Sequence, residues 1–293
     1  MQIFESPAEF QRHNDRLRAS GAQIGLFATL GAIHLGHLSL VDRATDENDV
    51  VVSSVFVNPL MFTTEAEAAG YPTDLEGDLA KLDAKGVAAV LTPSREAVYP
   101  PGFSARVTVQ SFEGLLESSR LPNMVTGIST LCTKLYELCL PHKWYFGDKD
   151  AEQIALVRRL CADLNWQCEI VGCPAVRDAD GLPFSSRNLL LSSEQRQSAL
   201  AVTDAIRAAK AAYDGDERGS AALTALGTEA VEARDGAVVE YVQIVNPDTM
   251  TRQEKADERS LLVLAVKVGS IRILDNHRLG TALPRELNDP VTV

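Results

Sequence analysis

The chain has 293 residues, of which 45% are hydrophobic and 23% are charged, and its net charge at pH 7 is −12. These values are typical of a globular protein with an ample core and predict one large or two medium-sized domains. The negative charge argues against a general nucleic-acid binder or a binder of anionic membranes, although it is compatible with a local positive pocket. No apolar run reaches the roughly 20 residues that span a bilayer. The amino-terminal sequence M-Q-I-F-E-S-P lacks the basic and apolar regions of a signal peptide, so we expect a cytoplasmic protein.

The five cysteines contain no C-x-x-C pair and lie in apolar or amphipathic segments. This pattern predicts buried free thiols in a reducing compartment rather than a metal site or a disulfide framework. They are Cys132, Cys139, Cys161, Cys168 and Cys173.

The amino-terminal part of the chain predicts a helix, a strand, a turn and a second helix, in that order. Ser6, Pro7 and Glu9 form a helix start of the capping-box type for a helix over residues 6–20. The apolar run I-G-L-F at 24–27 predicts a strand, and the amphipathic segment 38–44 predicts a helix. The turn that joins them reads A-T-L-G-A-I-H-L-G-H-L over residues 28–38.

This turn carries the strongest chemical signal in the chain. His34 and His37 are three residues apart, so both imidazoles can lie on one face of the first helical turn. Gly31 and Gly36 leave room for a bulky ligand to approach the backbone. The helix start offers free N–H groups and a positive dipole end, which suit a phosphate, and two imidazoles can donate to phosphoryl oxygens. The alternative is two surface histidines in a loop.

Further strands and helices alternate along the chain up to residue 172. Val50–Val57 predicts a buried parallel strand that Pro59 ends, and Asn58 is a site candidate because it follows the carboxyl end of that strand. A helix at 71–86 is capped by Thr73 or Asp74. The remaining predicted elements are strands at 87–91, 106–109, 143–146 and 168–172, and helices at 127–140 and 151–164. Four or five successive βα units predict a doubly wound parallel sheet.

Two loops could bind phosphate, although each has a simpler interpretation. In G-D-K-D (147–150), Lys149 lies at a strand-to-helix turn, where its ammonium could neutralise an anion or be only an exposed charge. In F-S-S-R-N (184–188), two hydroxyls and a guanidinium could clamp a polyphosphate or merely cap a helix. No Walker A loop and no G-x-G-x-x-G occurs.

The carboxyl-terminal part predicts a smaller α+β domain. The sequence predicts three helices, one that begins at Ser192, an amphipathic one at 199–213 and another at 220–234. Polar and apolar residues alternate as in antiparallel strands at 238–246 and 260–275. We therefore predict two domains, 1–178 and 179–293.

Five motifs together closely resemble the pantothenate synthetase family. They are T-L-G-A-I-H-L-G-H (29–37), V-F-V-N-P-L-M-F (55–62), Y-P-T-D-L (71–75), Y-F-G-D-K-D-A-E-Q (145–153) and D-G-L-P-F-S-S-R-N (180–188), with further similarity at 241–245 and 271–276. The resemblance implies a Rossmann-like domain of the HxGH nucleotidylyltransferase type and a carboxyl-terminal lid domain. It also implies ATP, Mg²⁺ and a homodimer. Pantoate would attack the α-phosphorus of ATP to give an acyl-adenylate and pyrophosphate, and β-alanine would then displace AMP.

Carried over residue by residue, the resemblance implies roles at the matching positions. His34 and His37 would bind and polarise the ATP phosphates. The β- and γ-phosphates would be held by Lys149, Ser185, Ser186 and Arg187. Leu30, Gly31 and Gly36 belong to the same ATP-binding set, and Gly147 and Val176 would meet adenine and ribose. Asn58, Met61 and Gln153 would lie at the acid site, and Asp78 near the metal.

Three departures from the family pattern cluster where the acid and the amine should bind. Met61 replaces the glutamine of N-P-x-Q-F, A-T-L-G replaces P-T-M-G at 28–31, and residues 120–128 replace R-P-G-H-F-x-G-V with one extra residue. Losing the glutamine would leave polar partners unpaired at a cost of about 1–3 kcal/mol, unless a neighbour compensates. A related ATP-dependent amide ligase with another acid or amine therefore stays open. Two further alternatives also stay open. One is a nucleotidylyltransferase that stops at the adenylylated product, and the other is a paralogue that binds nucleotide without catalysis.

Overall fold

The structure, a computed structural model, describes residues 1–62 and 64–288. The chain separates into two compact units, Met1–Cys173 and Pro174–Val293. The predicted boundary after residue 178 falls a few residues into the second unit. Within the described ranges, no helix is both long and apolar enough to cross a membrane.

The first unit contains a six-stranded sheet. Its strands, β1 to β6 in chain order, are Gln2–Phe4, Ile24–Thr29, Val50–Val55, Ala89–Leu91, Lys143–Gly147 and Glu169–Cys173. They lie in the order β1-β4-β3-β2-β5-β6, and every pair is parallel. This confirms the doubly wound parallel sheet. The short edge strand β1 was not predicted, because three residues carry too little periodicity.

Helices flank this sheet. They are α1 to α7 in chain order: Pro7–Ala19, Leu35–Glu47, Glu65–Ala69, Leu75–Ala84, Arg95–Val98, Met124–Cys139 and Ala151–Asp163. Adjacent strand residues point to opposite faces, and the neighbours Trp144 and Tyr145 in β5 are only 0% and 1% exposed. Both faces of the sheet are therefore covered, as the continuous apolar strands predict.

Two local predictions in this unit were wrong. Ser6 precedes α1, but its side chain makes no capping hydrogen bond, so the capping box is absent. Residues 106–109 form no strand, although their β-branched residues favour one. Instead, the backbone N–H of Val107 donates to Oγ1 of Thr130 in α6 at 3.0 Å. By contrast, α4 starts as predicted, since the Asp74 carboxylate accepts from the N–H of Gly77.

All five cysteines are free thiols, as predicted. Cys132, Cys139 and Cys173 are buried, whereas Cys161 and Cys168 are only half-buried, which corrects the prediction of full burial. Partial burial still raises the pKa of the Cys161 thiol to about 11. The thiols are thus protonated at neutral pH.

The second unit has the predicted α+β composition. It contains α8 (Ser193–Ala199), α9 (Ala201–Asp214), α10 (Ser220–Glu232) and α11 (Arg285–Asn288), and strands β7 (Ala237–Val245), β8 (Leu261–Val268) and β9 (Ile271–Arg278). The strands form an antiparallel sheet in the order β7-β8-β9. The predicted strand 260–275 is in fact a hairpin that turns at Gly269, where φ is +59°.

Candidate active site

The candidate site of the first unit lies where the order of its strands reverses. From β2 the chain proceeds to β3 and β4 on one side and then returns to β5 on the other side of β2. Phe27 of β2 pairs with Tyr145 of β5, so the loops after these two strands leave the same edge of the sheet. Such a switch point at the carboxyl ends of parallel strands is the usual ligand crevice of open α/β sheets.

The turn after β2 has an unusual backbone. Gly31 and Ala32 both have positive φ values, of 111° and 52°. Asp78, fully buried on the first turn of α4, holds this conformation, because its two carboxylate oxygens accept from the N–H groups of Ala32 (2.8 Å) and Ile33 (2.7 Å). The family resemblance implies a position near the metal for Asp78, which stays a prediction. In the structure its carboxylate fixes the turn that leads into α2.

The histidine pair lies at the start of α2, as the spacing predicts. His34 is the N-cap residue, and its backbone N–H donates to Nδ1 of His37 at 3.4 Å. The two rings stack with centroids 3.9 Å apart and planes inclined by 22°. Stacked, half-buried rings at a helix start form one unit, which argues against two unrelated surface histidines in a loop.

Both imidazoles are neutral at pH 7. Burial, followed by the positive charge of Lys149, lowers the pKa of His34 to about 4. Burial, followed by the neighbouring ring of His34, lowers the pKa of His37 to about 3. Each ring therefore has one N–H donor and one acceptor nitrogen.

Lys149 lies at the start of the loop after β5, and its charge acts on both histidines. Its side chain is only 18% exposed, and its Nζ lies 3.4 Å from Oδ1 of Asp150. The fold thus brings together the HxGH turn and the G-D-K-D loop, which are more than a hundred residues apart in the sequence. An ammonium, two imidazoles and a helix amino terminus together suit a polyphosphate.

Lys81 is a further cation of this region that the sequence analysis missed. Its Nζ donates to the carbonyl of Ile33 at 2.8 Å and lies 3.7 Å from Oδ1 of Asp78. The only signal in the sequence is the D-x-x-K spacing in α4, which is also common in helices without a site.

Three other residues in this unit are assigned to ATP by the family resemblance, and their ATP contacts stay a prediction. Leu30 lies in the turn, Gly36 in the first turn of α2, and Gly147 at the end of β5. A Cβ atom added at Gly147 would meet no described atom within 4 Å, so this position is open to a ligand.

Asn58 requires a correction. The sequence assigns it to the acid site, but it is 0% exposed, which excludes direct contact in this conformation. Its Nδ2 donates to the carbonyl of Gly127 at 2.9 Å, and its Oδ1 accepts from Leu60 and from the Tyr99 hydroxyl. Asn58 therefore positions the 3₁₀ turn Pro59–Met61 against α6.

Met61 and Gln153 are better placed to reach a substrate. Met61 is half-buried and ends the 3₁₀ turn that Asn58 holds. Gln153 is half-buried in the first turn of α7, four residues after Lys149. Their contacts with the acid stay a prediction.

The remaining predicted residues belong to the second unit. Ser185 caps the 3₁₀ helix Ser186–Leu190, and its Oγ accepts from the N–H of Arg187 at 3.3 Å. Phe184 and Val176 share a backbone hydrogen bond of 3.0 Å. Thus the helix-capping interpretation is correct for Ser185, while the phosphate role of Ser185, Ser186 and Arg187 and the ribose role of Val176 stay predictions.

A doubly wound parallel sheet with a histidine pair and a lysine at its switch point defines an α/β nucleotide-binding protein of the HxGH type. The model of the family Pantoate-beta-alanine ligase matches residues 2–278. The chain is 38% identical to the pantothenate synthetase of Geotalea uraniireducens over 96% of its own length and 99% of that protein. It is 39% identical to the enzyme of Thermotoga petrophila, again over 96% of its length and 100% of the relative. The chain belongs to the pantoate–β-alanine ligase family.

Solved structures agree with this assignment. The pantothenate synthetase of Thermus thermophilus superimposes with a TM-score of 0.89 at 35% identity, covering 95% of this chain and 99% of that one. The ligase of Francisella tularensis, in complex with β,γ-ATP and β-alanine, gives a TM-score of 0.78 at 29% identity, covering 96% and 99%.

Proposed function

We propose that this protein is an ATP-dependent ligase that joins pantoate to β-alanine through an acyl-adenylate and releases AMP and pyrophosphate. The observation that carries the proposal is the neutral, stacked pair His34–His37 at the start of α2, with Lys149 beside it. The match to the family Pantoate-beta-alanine ligase and the near full-length similarity to pantothenate synthetases support the choice of the two substrates.

In the first step, a carboxylate oxygen of pantoate attacks the α-phosphorus of ATP, and the bond from that phosphorus to the bridging oxygen breaks. Negative charge grows on the non-bridging oxygens and on the departing pyrophosphate. The first N–H groups of α2, the imidazole N–H groups and the ammonium of Lys149 are donors that stabilise this charge. Because these groups are held in place before the substrate arrives, they need little reorganisation.

In the second step, the neutral amine of β-alanine attacks the acyl carbon, AMP leaves with the electrons of the acyl–phosphate bond, and the nitrogen loses a proton. The same donors stabilise the phosphate of AMP as it departs. We propose that the turn Pro59–Met61 and Gln153 orient the acid for both steps, and that Asn58 acts through the turn.

Mg²⁺ fits the site as an ion that arrives with ATP. In the described part of the chain, no three His, Cys, Asp or Glu side chains are grouped to hold a metal. Mg²⁺ is usually bound by substrate phosphates, water and one or two carboxylates, and does not need a cage of protein ligands. Asp78, the carboxylate predicted for the metal, is fully buried and both its oxygens accept backbone N–H groups, so it does not reach an ion directly in this conformation. The ion, held by the phosphates and water, would neutralise phosphate charge.

Three further proposals complete the assignment. Ser185, Ser186 and Arg187 contribute to phosphate binding, Val176 contributes to ribose binding, and the protein forms a homodimer. Alanine variants at the four positions and a molar-mass measurement in solution test these proposals.

A second candidate is an amide ligase of the same mechanism that acts on a less polar acid. The observation that favours it is the thioether of Met61 on the turn that Asn58 holds, followed in the chain by Phe62, whose ring contacts that of Tyr71. A screen of acids for ATP–pyrophosphate exchange separates the two candidates. Pantoate should give the fastest exchange if the first is correct, and a non-hydroxylated acid if the second is correct.

A further inference from the structure

Helix α4 presents two charges to the turn that leads into α2. Asp78 binds the N–H groups of Ala32 and Ile33. Lys81, one helical turn later, binds the carbonyl oxygen of Ile33 at 2.8 Å. One short helix therefore holds both the donors and the acceptor of the same peptide segment, directly before the N-cap residue His34.

The buried carboxylate poses an electrostatic problem for a phosphate site. The Asp78 side chain is 1% exposed, so water screens its negative charge poorly. It lies next to the helix start that is to receive ATP, and like charges repel. A counter-charge close to Asp78 would remove most of this repulsion.

Lys81 is suited to that task. Its Nζ is 3.7 Å from Oδ1 of Asp78, and its side chain is 39% exposed, so its charge reaches both the carboxylate and the open side of the turn. Its positive charge also contributes to lowering the pKa of both histidines, as expected for a cation close to them. Lys149 and Asp150 are the other charges that act on the two histidines.

We propose that Lys81 is a positioning residue for ATP: it neutralises Asp78 and fixes the Ile33 carbonyl, so that the helix start with His34 and His37 stays attractive to phosphate. This inference rests on the proposed use of ATP. It does not depend on which acid or amine the enzyme takes.

The test compares Lys81→Met with Lys81→Arg and with Lys85→Met in the full-length protein. Lys85 is a matched control, because it lies at the end of the same helix and pairs with Asp42 of α2 at 2.7 Å, away from the turn. The measurements are the Kd for ATP without acid or amine, kcat of pyrophosphate exchange at saturating ATP, and the melting temperature.

We expect Lys81→Met to weaken ATP binding about tenfold, which corresponds to about 1.4 kcal/mol. The kcat at saturating ATP should fall much less, because the residue does not touch the reacting atoms. Lys81→Arg should restore most of the affinity, and Lys85→Met should bind ATP like the wild type.

Several results would overturn the inference. One is unchanged ATP affinity in Lys81→Met, with or without a lower melting temperature, because the lysine would then be only structural. Another is an equal loss in Lys81→Arg, because a counter-charge should be replaceable by another cation. If the wild type itself bound no ATP, the proposed function would fail, and this inference with it.

An Asp78→Asn background distinguishes a counter-charge from a direct phosphate contact. Asp78→Asn removes the negative charge that Lys81 neutralises. Lys81→Met should therefore reduce ATP affinity less in the Asp78→Asn variant than in the wild type. An equal cost in both backgrounds would show that Lys81 contacts the phosphates itself and would contradict the positioning role.

Discussion

Burial keeps His34 and His37 neutral at pH 7, with pKa values of about 4 and about 3. A bound phosphate reverses part of this effect, because a neighbouring anion favours the imidazolium form and raises the pKa. We therefore expect the histidines, which are weak bases in the free protein, to become stronger bases when ATP binds. On the proposed function they donate hydrogen bonds as neutral groups at pH 7 and gain charge in mildly acidic solution.

The first prediction follows from this shift. ATP binding near pH 5.5 should be accompanied by proton uptake that is small at pH 7.5, and titration calorimetry in two buffers of different ionisation enthalpy measures it. His34→Asn should reduce the uptake and slow adenylation about 10²-fold or more. His13→Asn, in α1, is the control and should behave like the wild type. Equal uptake in His34→Asn and the wild type would exclude His34 from the phosphate site.

The same pKa values determine a contribution to stability. The folded pKa of His34 lies below its unfolded value of 6.5, so the unfolded chain binds more protons between about pH 6.5 and pH 4. The free energy of unfolding therefore decreases as the pH falls through that range. Above about pH 6.5, His34 is neutral in both the folded and the unfolded state, so it does not make the free energy of unfolding depend on pH.

The second prediction concerns Lys149. Lys149→Met should abolish pyrophosphate exchange, or reduce it at least about 100-fold, because the polyphosphate loses its fixed cation. The melting temperature should change little. Lys143→Met is the matched control, since Lys143 begins the same strand β5 and pairs with Glu47 away from the switch point. Wild-type exchange in Lys149→Met would remove this lysine from the site.

The third prediction concerns Met61 and decides between the two candidate acids. If pantoate is the substrate, Met61→Gln should leave kcat/KM for pantoate unchanged or raise it. If the pocket accepts a less polar acid, the wild type should have a low kcat/KM for pantoate. Met61→Gln should then lower kcat/KM for the less polar acid, because the new amide is left unpaired. Met61→Leu separates the effect of the amide from the loss of the thioether. AMP release is the readout for all three proteins.

At the scale of elements, the 3₁₀ turn that carries Met61 is packed directly on α6. A Cβ atom added at Gly127 of α6 would lie 2.6 Å from the carbonyl oxygen of Leu60 and 2.8 Å from the nitrogen of Met61. Both are backbone atoms, so the turn itself would have to move. Gly127 therefore permits the close approach that the hydrogen bond from Asn58 to its carbonyl maintains.

The fourth prediction is that Gly127→Ala impairs acid use more than ATP binding. The displaced turn should lower kcat/KM for the acid, and overpacking should destabilise the fold by about 1–3 kcal/mol. The Kd for ATP should stay near the wild-type value, because the histidine pair lies on another element. Gly215→Ala is the control, since an added Cβ there is in ordinary contact at 3.4 Å. Unaltered kcat/KM in Gly127→Ala would separate the turn from the acid site.

Elements were predictable where the pattern is long and local. The buried strands β2 and β3 and the helices α2 and α7 follow from their periodicity and from the residues at their ends. The segment 106–109 was mispredicted because the backbone N–H of Val107 bonds to the Thr130 side chain of α6 instead of to a neighbouring strand. Which partner a backbone N–H finds depends on tertiary contacts that local propensity does not describe.

At the scale of the whole molecule, the parallel arrangement of the strands explains why much of the site was predictable. Residues after the carboxyl ends of the adjacent parallel strands β2 and β5 share one edge, which agrees with the grouping of His34, His37 and Lys149 that the family resemblance implies. Asn58 and Lys81 show the limit of this reasoning. Burial makes Asn58 a support of its turn, and the role of Lys81 depends on the approach of α4 to a turn 48 residues earlier in the chain.

Composition and charge, by contrast, bear only on the class of the molecule. The net charge of −12 argues against general anion binding, yet the switch point concentrates Lys149, Lys81 and a helix amino terminus in one place. A local positive site on an acidic protein suits a small anionic ligand such as ATP better than a nucleic acid.

The proposed reaction couples ATP cleavage at the α-phosphorus to amide formation between pantoate and β-alanine. The most direct test incubates the purified protein with ATP, Mg²⁺ and both substrates, and quantifies AMP and pantothenate by mass spectrometry. We predict pantoate-dependent pyrophosphate exchange without amine, and equal amounts of AMP and pantothenate once β-alanine is added. Accumulation of an adenylylated acid that β-alanine does not consume, or ATP binding without any exchange in the presence of pantoate, would contradict the claim.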